Sequence, residues 1–160
     1  MDQAPKKKYY PKKEALLKAA AYCAYQERTQ EEVRSKLYTY GLTIDEVEEV
    51  LLDLIAEKLV DEERYAASYV RGRYGLKRWG RRKIIQGLKG KRISDYCIRQ
   101  GLKEIDPDQY WQNLLYLLEK KNRTEKEGNA LLRRQKLSYY LMSKGYENDL
   151  VQDGMKELGI

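Results

Sequence analysis

Apolar side chains recur along almost the whole chain at the three- and four-residue spacing of amphipathic α-helices. Near the N-terminus, Leu16, Ala19, Ala20 and Cys23 fall on one face of such a helix. The spacing predicts an all-α protein. Its leading helix is expected to begin at Lys12, after a polar segment that has no apolar stripe.

Capping signals show where the next two helices begin and end. Thr29 and Glu32 have the Ser/Thr-x-x-Glu spacing of a capping box, in which each side chain accepts the backbone N–H of the other residue. Thr43 and Glu46 have the same spacing, and Gly41 stands where a left-handed C-cap belongs. The leading helix is therefore predicted to precede a second helix, a tight turn and a third helix.

This three-helix pattern occurs three times. The apolar positions of the first copy return after shifts of 51 and 104 residues, as a repeated supersecondary unit would require. The clearest equivalent positions are Val33, Ile84 and Leu137, and then Leu37, Leu88 and Leu141. Each second and third helix, joined by a short turn, resembles a helix-turn-helix pair.

The predicted organisation is a disordered basic tail over residues 1–11, followed by three repeats. Repeat one covers residues 12–60, repeat two residues 61–105 and repeat three residues 106–160. None of the repeats has a sufficient core by itself, so neighbouring repeats are expected to bury each other's apolar stripes. This predicts three tandem helix-turn-helix-like repeats in an elongated, curved array.

Composition excludes several classes of protein. The 160 residues include no His and two Cys, which rules out a Ser-His-Asp triad and a tetrahedral Cys/His zinc site. We therefore expect a protein that is not an enzyme and uses no cofactor. Two distant Cys and the lack of an apolar run near the ~20 residues of a membrane span predict a cytoplasmic protein, which we expect to be monomeric.

The positive charge is concentrated in repeat two. The net charge is +7, and residues 61–105 alone carry 13 basic and 5 acidic residues. A block of one sign attracts polyanions, so we predict that the ten cations between residues 71 and 92 bind DNA or a nucleoprotein filament. They are Arg71, Arg73, Lys77, Arg78, Arg81, Arg82, Lys83, Lys89, Lys91 and Arg92.

Trp79 lies within this block, and two interpretations of it stay open. Its ring could stack on a nucleobase. Alternatively, Trp79 precedes the N-cap position of a helix and Ile84 follows that position by four residues, which is the arrangement of a hydrophobic staple. The acidic run from Asp61 to Glu63 is interpreted as the N-cap and first turn of a helix, where carboxylates favour the helix dipole.

Two segments of repeat two resemble motifs of the RecX family, the bacterial regulators of the RecA recombinase. VDEERYAASYVRGR at residues 60–73 is similar to the family's first motif, and GRRKIIQGLKGKRIS at residues 80–94 is similar to its next. Tyr65 replaces the usual Phe, and Lys83 replaces an Arg. The residues taken as matching the motifs are Asp61, Glu62, Arg64, Tyr65, Tyr69 and Gly80.

The resemblance implies three tandem three-helix repeats and a non-enzymatic function. A RecX-like protein is expected to bind RecA and its nucleoprotein filament and to modulate RecA activity, most often as an inhibitor, in recombination, DNA repair and the SOS response. Contacts with single- or double-stranded DNA would be sequence-tolerant. The alternative is a helix-turn-helix DNA-binding protein such as a repressor, for which residues 94–103 offer only Arg99, Gln100 and Lys103.

Overall fold

The computed structural model describes residues 9–160. Lys6, Lys7 and Lys8, the basic residues of the predicted tail, lie outside the described residues. Tyr10 is already placed by a backbone hydrogen bond from its N–H to the carbonyl of Tyr40, at 2.9 Å. Within residues 9–160, none of the helices combines the length and apolar character needed to cross a bilayer.

The described part of the chain consists of nine α-helices and one π-helical turn. Repeat one contains α1 (Lys12–Tyr25), α2 (Gln30–Thr39) and α3 (Ile44–Ala56). Repeat two contains α4 (Glu62–Val70), the π turn (Arg71–Leu76), α5 (Arg81–Gly90) and α6 (Asp95–Leu102). Repeat three contains α7 (Pro107–Thr124), α8 (Ala130–Ser143) and α9 (Asn148–Glu157). The predicted all-α class with three helices in each repeat is confirmed.

The capping signals of repeat one define its helices as predicted. The Thr29 hydroxyl accepts the Glu32 N–H at 3.1 Å, and the Glu32 carboxylate accepts the Thr29 N–H at 3.3 Å. Thr43 and Glu46 form the same box at the start of α3. Gly41 has φ +83°, a backbone conformation that glycine adopts without steric cost. The starts of α2 and α3 and the turn between these helices therefore each have a local chemical cause.

Repeat two departs from the predicted helix pattern at its leading helix. Regular α geometry of this helix ends at Val70, and a π turn follows it over Arg71–Leu76. The Lys77 N–H donates to the Gly72 carbonyl, five residues back, at 3.3 Å. Gly72 and Gly75 weaken the α-helix here because glycine has low helix propensity. The helical turn then takes in one more residue, and its hydrogen bond spans five residues instead of four.

The described part of residues 1–65, together with residues 91–93, forms one compact unit. Ala15 and Ala19 are fully buried on α1, and their small side chains let α2 and α3 pack closely against it. The larger apolar residues that complete this core are Val33, Leu37, Leu42, Val47, Val50, Leu51, Leu54 and Val60. Cys23 lies at the edge of the core, and burial raises the pKa of its thiol.

Residues 66–90 and 94–160 form a second compact unit. Its core combines apolar residues of α4 to α9 and of the turn between α8 and α9, and the largest fully buried side chains are Tyr146, Ile84, Leu88, Leu114, Leu118, Leu137, Leu141 and Met155. Asn113 is also buried, and its side-chain amide donates to the Tyr74 carbonyl at 2.8 Å. The amide therefore ties α7 to the π turn.

Equivalent positions of the three repeats have equivalent environments. Leu37, Leu88 and Leu141 are each 0% exposed, which confirms the burial predicted from the repeat register. The left-handed turn position is Gly41 in repeat one, and the offsets of 51 and 104 residues place Arg92 and Gly145 there in the other two repeats. Arg92 has φ +59° and Gly145 has φ +97°, so the turn conformation persists without glycine in repeat two.

Candidate nucleic-acid interface

The π turn and the residues after it fold the chain back so that Trp79 lies beside Arg73. The Trp79 N–H donates to the Arg73 carbonyl at 2.9 Å. Arg78, with φ +55°, reverses the chain direction just before Trp79, a conformation that a non-glycine residue rarely adopts. Local backbone geometry therefore places the aromatic ring within the basic block.

Three cations surround the half-buried Trp79 ring, and we call Trp79, Arg73, Lys77 and Lys83 the Trp79 cluster. The distance to the ring centroid is 5.2 Å for the Arg73 guanidinium, 5.7 Å for Lys77 Nζ and 4.3 Å for Lys83 Nζ. Such contacts are attractive because the ring face is negative. Among residues 9–160, none of these cations forms an ion pair with a carboxylate.

Electrostatics of the Trp79 cluster favour an anion. Burial lowers the pKa of Lys83, and the positive charges of Lys144 and Lys77 lower it further. The Arg73 guanidinium also lies 4.4 Å from the Tyr69 ring, and its buried Nε has no hydrogen-bond partner in the described residues. A bound phosphate would offset the repulsion among these cations and would offer acceptors for their N–H groups.

The N-terminus of α5 is held by the turn between α8 and α9. The Gly80 N–H donates to the Lys144 carbonyl at 2.7 Å, and the Arg82 N–H donates to the Gly145 carbonyl at 3.0 Å. A Cβ on Gly80 would lie 2.2 Å from the Gly145 carbonyl carbon, so only glycine permits this approach. The motif residue Gly80 is therefore a packing residue.

Arg81 lies in the predicted binding block but is engaged by repeat three. Its guanidinium pairs with the Glu147 carboxylate at 3.0 Å and lies 4.0 Å from the Tyr110 ring. The Tyr110 hydroxyl donates to Glu147 at 2.7 Å and accepts the Arg81 N–H at 3.0 Å. Burial, reinforced by the Glu147 hydrogen bond, raises the pKa of Tyr110. This triad stabilises the fold.

The other cations of the block fall into three groups. Arg71 pairs with Glu104 at 3.4 Å, and Arg78 lies 4.1 Å from the Tyr116 ring. Arg82 and Lys89 are exposed and have no acidic partner among the described residues. Lys91 and Arg92 belong to the first unit, where they lie 3.7 and 3.8 Å from the carboxylates of Glu32 and Glu31.

The acidic start of the first motif has a structural role, as its first-turn interpretation predicted. The Asp61 carboxylate accepts the Arg64 N–H at 3.0 Å and caps α4. Glu62 accepts the Gln30 N–H at the start of α2, and burial raises the pKa of this carboxyl. Arg64 pairs with Glu27 at 2.7 Å and donates to the Lys58 carbonyl at 2.9 Å.

The two aromatic motif residues also pack within the protein. Tyr65 is 8% exposed. The Tyr69 hydroxyl lies against Gly87 of α5, where a Cβ would come within 2.2 Å of it. The motif thus specifies helix caps, ion pairs and close packing, while the Trp79 cluster with Arg82 and Lys89 forms the basic surface.

Repeat three has an aromatic–cation contact that the sequence analysis did not identify. Tyr140 lies 5.2 Å from Lys121 Nζ and 5.6 Å from Lys144 Nζ, measured to the ring centroid. The charge pattern of the sequence did not indicate this contact, because residues 106–160 carry nine basic and nine acidic residues and so have no net charge. The available signal was the Tyr139-Tyr140 doublet, four residues before Lys144.

Models of three RecX domains match successive parts of this chain. The first three-helix domain of RecX matches residues 15–54, the second matches residues 61–102 and the third matches residues 108–155. The matched segments coincide with the α-helices of the three repeats.

Similar proteins and structures agree with these matches. "Regulatory protein RecX" of Bacillus mycoides (strain KBAB4) is 31% identical over 144 residues, which are 90% of this chain and 53% of the relative. "Regulatory protein RecX" of Bacillus cytotoxicus is 30% identical with the same coverage. The chain thus spans about half the length of these curated relatives.

Two crystal structures resemble the fold over nearly the whole chain. RecX from Lactobacillus salivarius has a TM-score of 0.85 and 26% identity, covering 92% of this chain and 96% of that structure. A structure of regulatory protein RecX has a TM-score of 0.83 and 27% identity, covering 91% of this chain and 73% of that one. This chain belongs to the RecX family.

Proposed function

We propose that this chain regulates the RecA recombinase, as an inhibitor, by binding the RecA–DNA filament and modulating its ATP hydrolysis and strand exchange. The observation that carries the proposal is the Trp79 cluster, in which three cations that have no acidic partner within residues 9–160 surround a half-buried aromatic ring. Membership of a family whose curated relatives are named regulatory proteins supports a regulatory function over an enzymatic one.

Phosphate contacts supply the binding energy in this proposal. Lys and Arg that neutralise phosphates release counterions from nucleic acid, and this contribution does not depend on base sequence. Arg82 and Lys89 extend the positive surface along α5. A protein that binds DNA in this way binds a RecA filament that contains DNA more tightly than it binds free RecA. It modulates RecA by occupying that filament.

Reversing the charge of the exposed cations should abolish the effect on RecA. The test variant is Lys77→Glu, Arg82→Glu and Lys89→Glu, which leaves Arg81 and its ion pair with Glu147 intact. Like charges would then face the phosphates, and contact would become repulsive. The measurement is RecA-driven ATP hydrolysis and strand exchange on preformed filaments at fixed salt, with circular dichroism to verify folding.

A matched control carries the same change in net charge elsewhere. Lys13, Lys126 and Lys156 are exposed lysines outside repeat two, and their triple change to Glu should preserve inhibition. Full inhibition by the folded test variant would exclude this surface as the contact. A wild-type protein without effect on RecA at any concentration would contradict the regulatory proposal and favour the alternative of a DNA-binding repressor.

A further inference from the structure

Tyr140 of repeat three lies between two lysines on the surface of the second unit. Lys121 is in the last turn of α7, and Lys144 is the C-cap residue of α8. Their Nζ atoms lie 5.2 and 5.6 Å from the Tyr140 ring centroid. Neither lysine forms an ion pair with a carboxylate in the described part of the chain. Two uncompensated cations therefore flank a half-buried aromatic ring.

A groove of about 580 Å³ runs beside this ring. Tyr139, Tyr140 and Leu132 supply much of its aromatic and aliphatic lining. Glu125 and Lys136 also line it, and the Lys136 ammonium lies 3.8 Å from the Glu125 carboxylate and 3.4 Å from the Glu127 carboxylate. The charged lining residues are therefore two lysines and one carboxylate, and of the two lysines Lys121 forms no ion pair among the described residues.

The groove residues connect to the Trp79 cluster through Lys144. Lys144 is near enough to Lys83 for its charge to lower the pKa of Lys83. The Lys144 carbonyl also accepts the Gly80 N–H at 2.7 Å, which fixes the end of α8 against the start of α5. Cations thus continue from the Trp79 cluster onto repeat three within one compact unit.

We propose that Tyr140, Lys121 and Lys144 form a second nucleic-acid subsite, which takes one unpaired base of a single strand and its neighbouring phosphates. The base stacks on Tyr140 in the groove, and the lysines bind the phosphates on either side. A single strand is favoured over a duplex because an aromatic side chain stacks only on a base whose π face is free. The subsite rests on the proposed function, because it requires that repeat two binds the same nucleic acid.

Photocrosslinking tests this subsite without a substitution that affects folding. The probe is an oligo(dT) 20-mer with 5-iododeoxyuridine at one position, irradiated with the wild-type protein and analysed by peptide mass spectrometry. We expect a crosslink on Tyr140. Tyr38 of α2 is the matched control, because it is 46% exposed, does not line this groove, and has no cation at its ring among the described residues. Crosslinks at Trp79 or Tyr38 without any at Tyr140 would overturn the proposal.

Affinity for the same oligonucleotide provides a second test. Tyr140→Leu keeps an apolar side chain but removes the π face, and it should weaken binding roughly 5-fold or more, whereas Tyr38→Leu, at a residue 46% exposed outside the groove, should leave it unchanged. The double change of Lys121→Gln and Lys144→Gln removes two phosphate contacts. It should therefore reduce the magnitude of the slope of log binding constant against log salt concentration by about 1.4, because each contact with a single strand contributes ~0.7. Lys126→Gln with Lys156→Gln is the charge-matched control.

The two proposals fail in distinguishable ways. If Lys77→Glu, Arg82→Glu and Lys89→Glu abolish binding while the Tyr140 and Lys121/Lys144 variants bind like wild type, the repeat-three subsite is wrong and the basic surface of repeat two stands. If the wild-type protein does not bind oligo(dT), both nucleic-acid contacts are wrong. Equal crosslinking of Tyr38 and Tyr140 would indicate adventitious surface contact and would also overturn the subsite.

Discussion

At the scale of single residues, the structure separates cations of repeat two that pair with carboxylates from cations that have no acidic partner among the described residues. Arg81 and Lys83 are two positions apart in α5, yet Arg81 pairs with Glu147 and Lys83 lies over Trp79. The sequence predicted both as binding residues because both belong to one positive block. Arg81 and Glu147 are 66 residues apart, and no local pattern reveals that they meet.

Tyr110 links this ion pair to the core, so its hydroxyl should contribute to stability. Tyr110→Phe removes a donor to Glu147 and an acceptor for the Arg81 N–H. The free energy of unfolding should fall by about 1–3 kcal/mol, since polar groups are left without partners in a part-buried site. Urea unfolding at pH 7 measures the change, and Tyr139→Phe, at a residue 79% exposed, is the control.

Alkaline pH provides an independent test of Tyr110. Burial raises its pKa in the folded state above the ordinary value near 10 of an unfolded chain. The stability that depends on its neutral form is complete below about pH 10 and is lost as the pH rises beyond that value. Between pH 9 and 11, wild type should therefore lose more stability than Tyr110→Phe. Equal losses would contradict the buried hydrogen bond.

At the scale of helices, the apolar repeat and the capping boxes were predictable because both depend on residues three or four apart. The bounds of α1 and the starts of α2 and α3 follow directly from such local patterns. The glycines Gly72 and Gly75 were visible in the sequence, but the buried Asn113 amide that donates to the Tyr74 carbonyl is 39 residues away, and no local pattern predicted that contact with the π turn. The Tyr140 contacts also depend on packing, between α7 and α8.

The repeat register predicts that shortening any of the equivalent leucines will lower the free energy of unfolding substantially. Leu88 is fully buried between helices of the second unit. Leu88→Ala should lower the free energy of unfolding by about 2–5 kcal/mol if the site does not collapse around the cavity. Chemical denaturation measures it, with Leu52→Ala on α3 as the control because Leu52 is 64% exposed. A Leu88→Ala midpoint equal to wild type would contradict the register.

At the scale of the whole molecule, the proposed function predicts that the positive surface of repeat two binds nucleic acid through charge and without preference for base sequence. About five cations are available for phosphates, in the Trp79 cluster and at Arg82 and Lys89. The logarithm of the binding constant should then fall with the logarithm of salt concentration, with a slope of roughly −3.5 for single strands and −4.5 for duplexes. Titrations with random oligonucleotides measure this slope. A flat response would exclude phosphate contacts.

Binding to RecA itself tests the central claim most directly. The measurement is co-sedimentation of the wild-type chain with RecA, with and without single-stranded DNA and ATP, at fixed salt. The proposed function predicts that the chain sediments with assembled RecA–DNA filaments and that the Lys77→Glu, Arg82→Glu and Lys89→Glu variant stays in the supernatant. A wild-type chain that stays in the supernatant under every condition would contradict regulation through the filament.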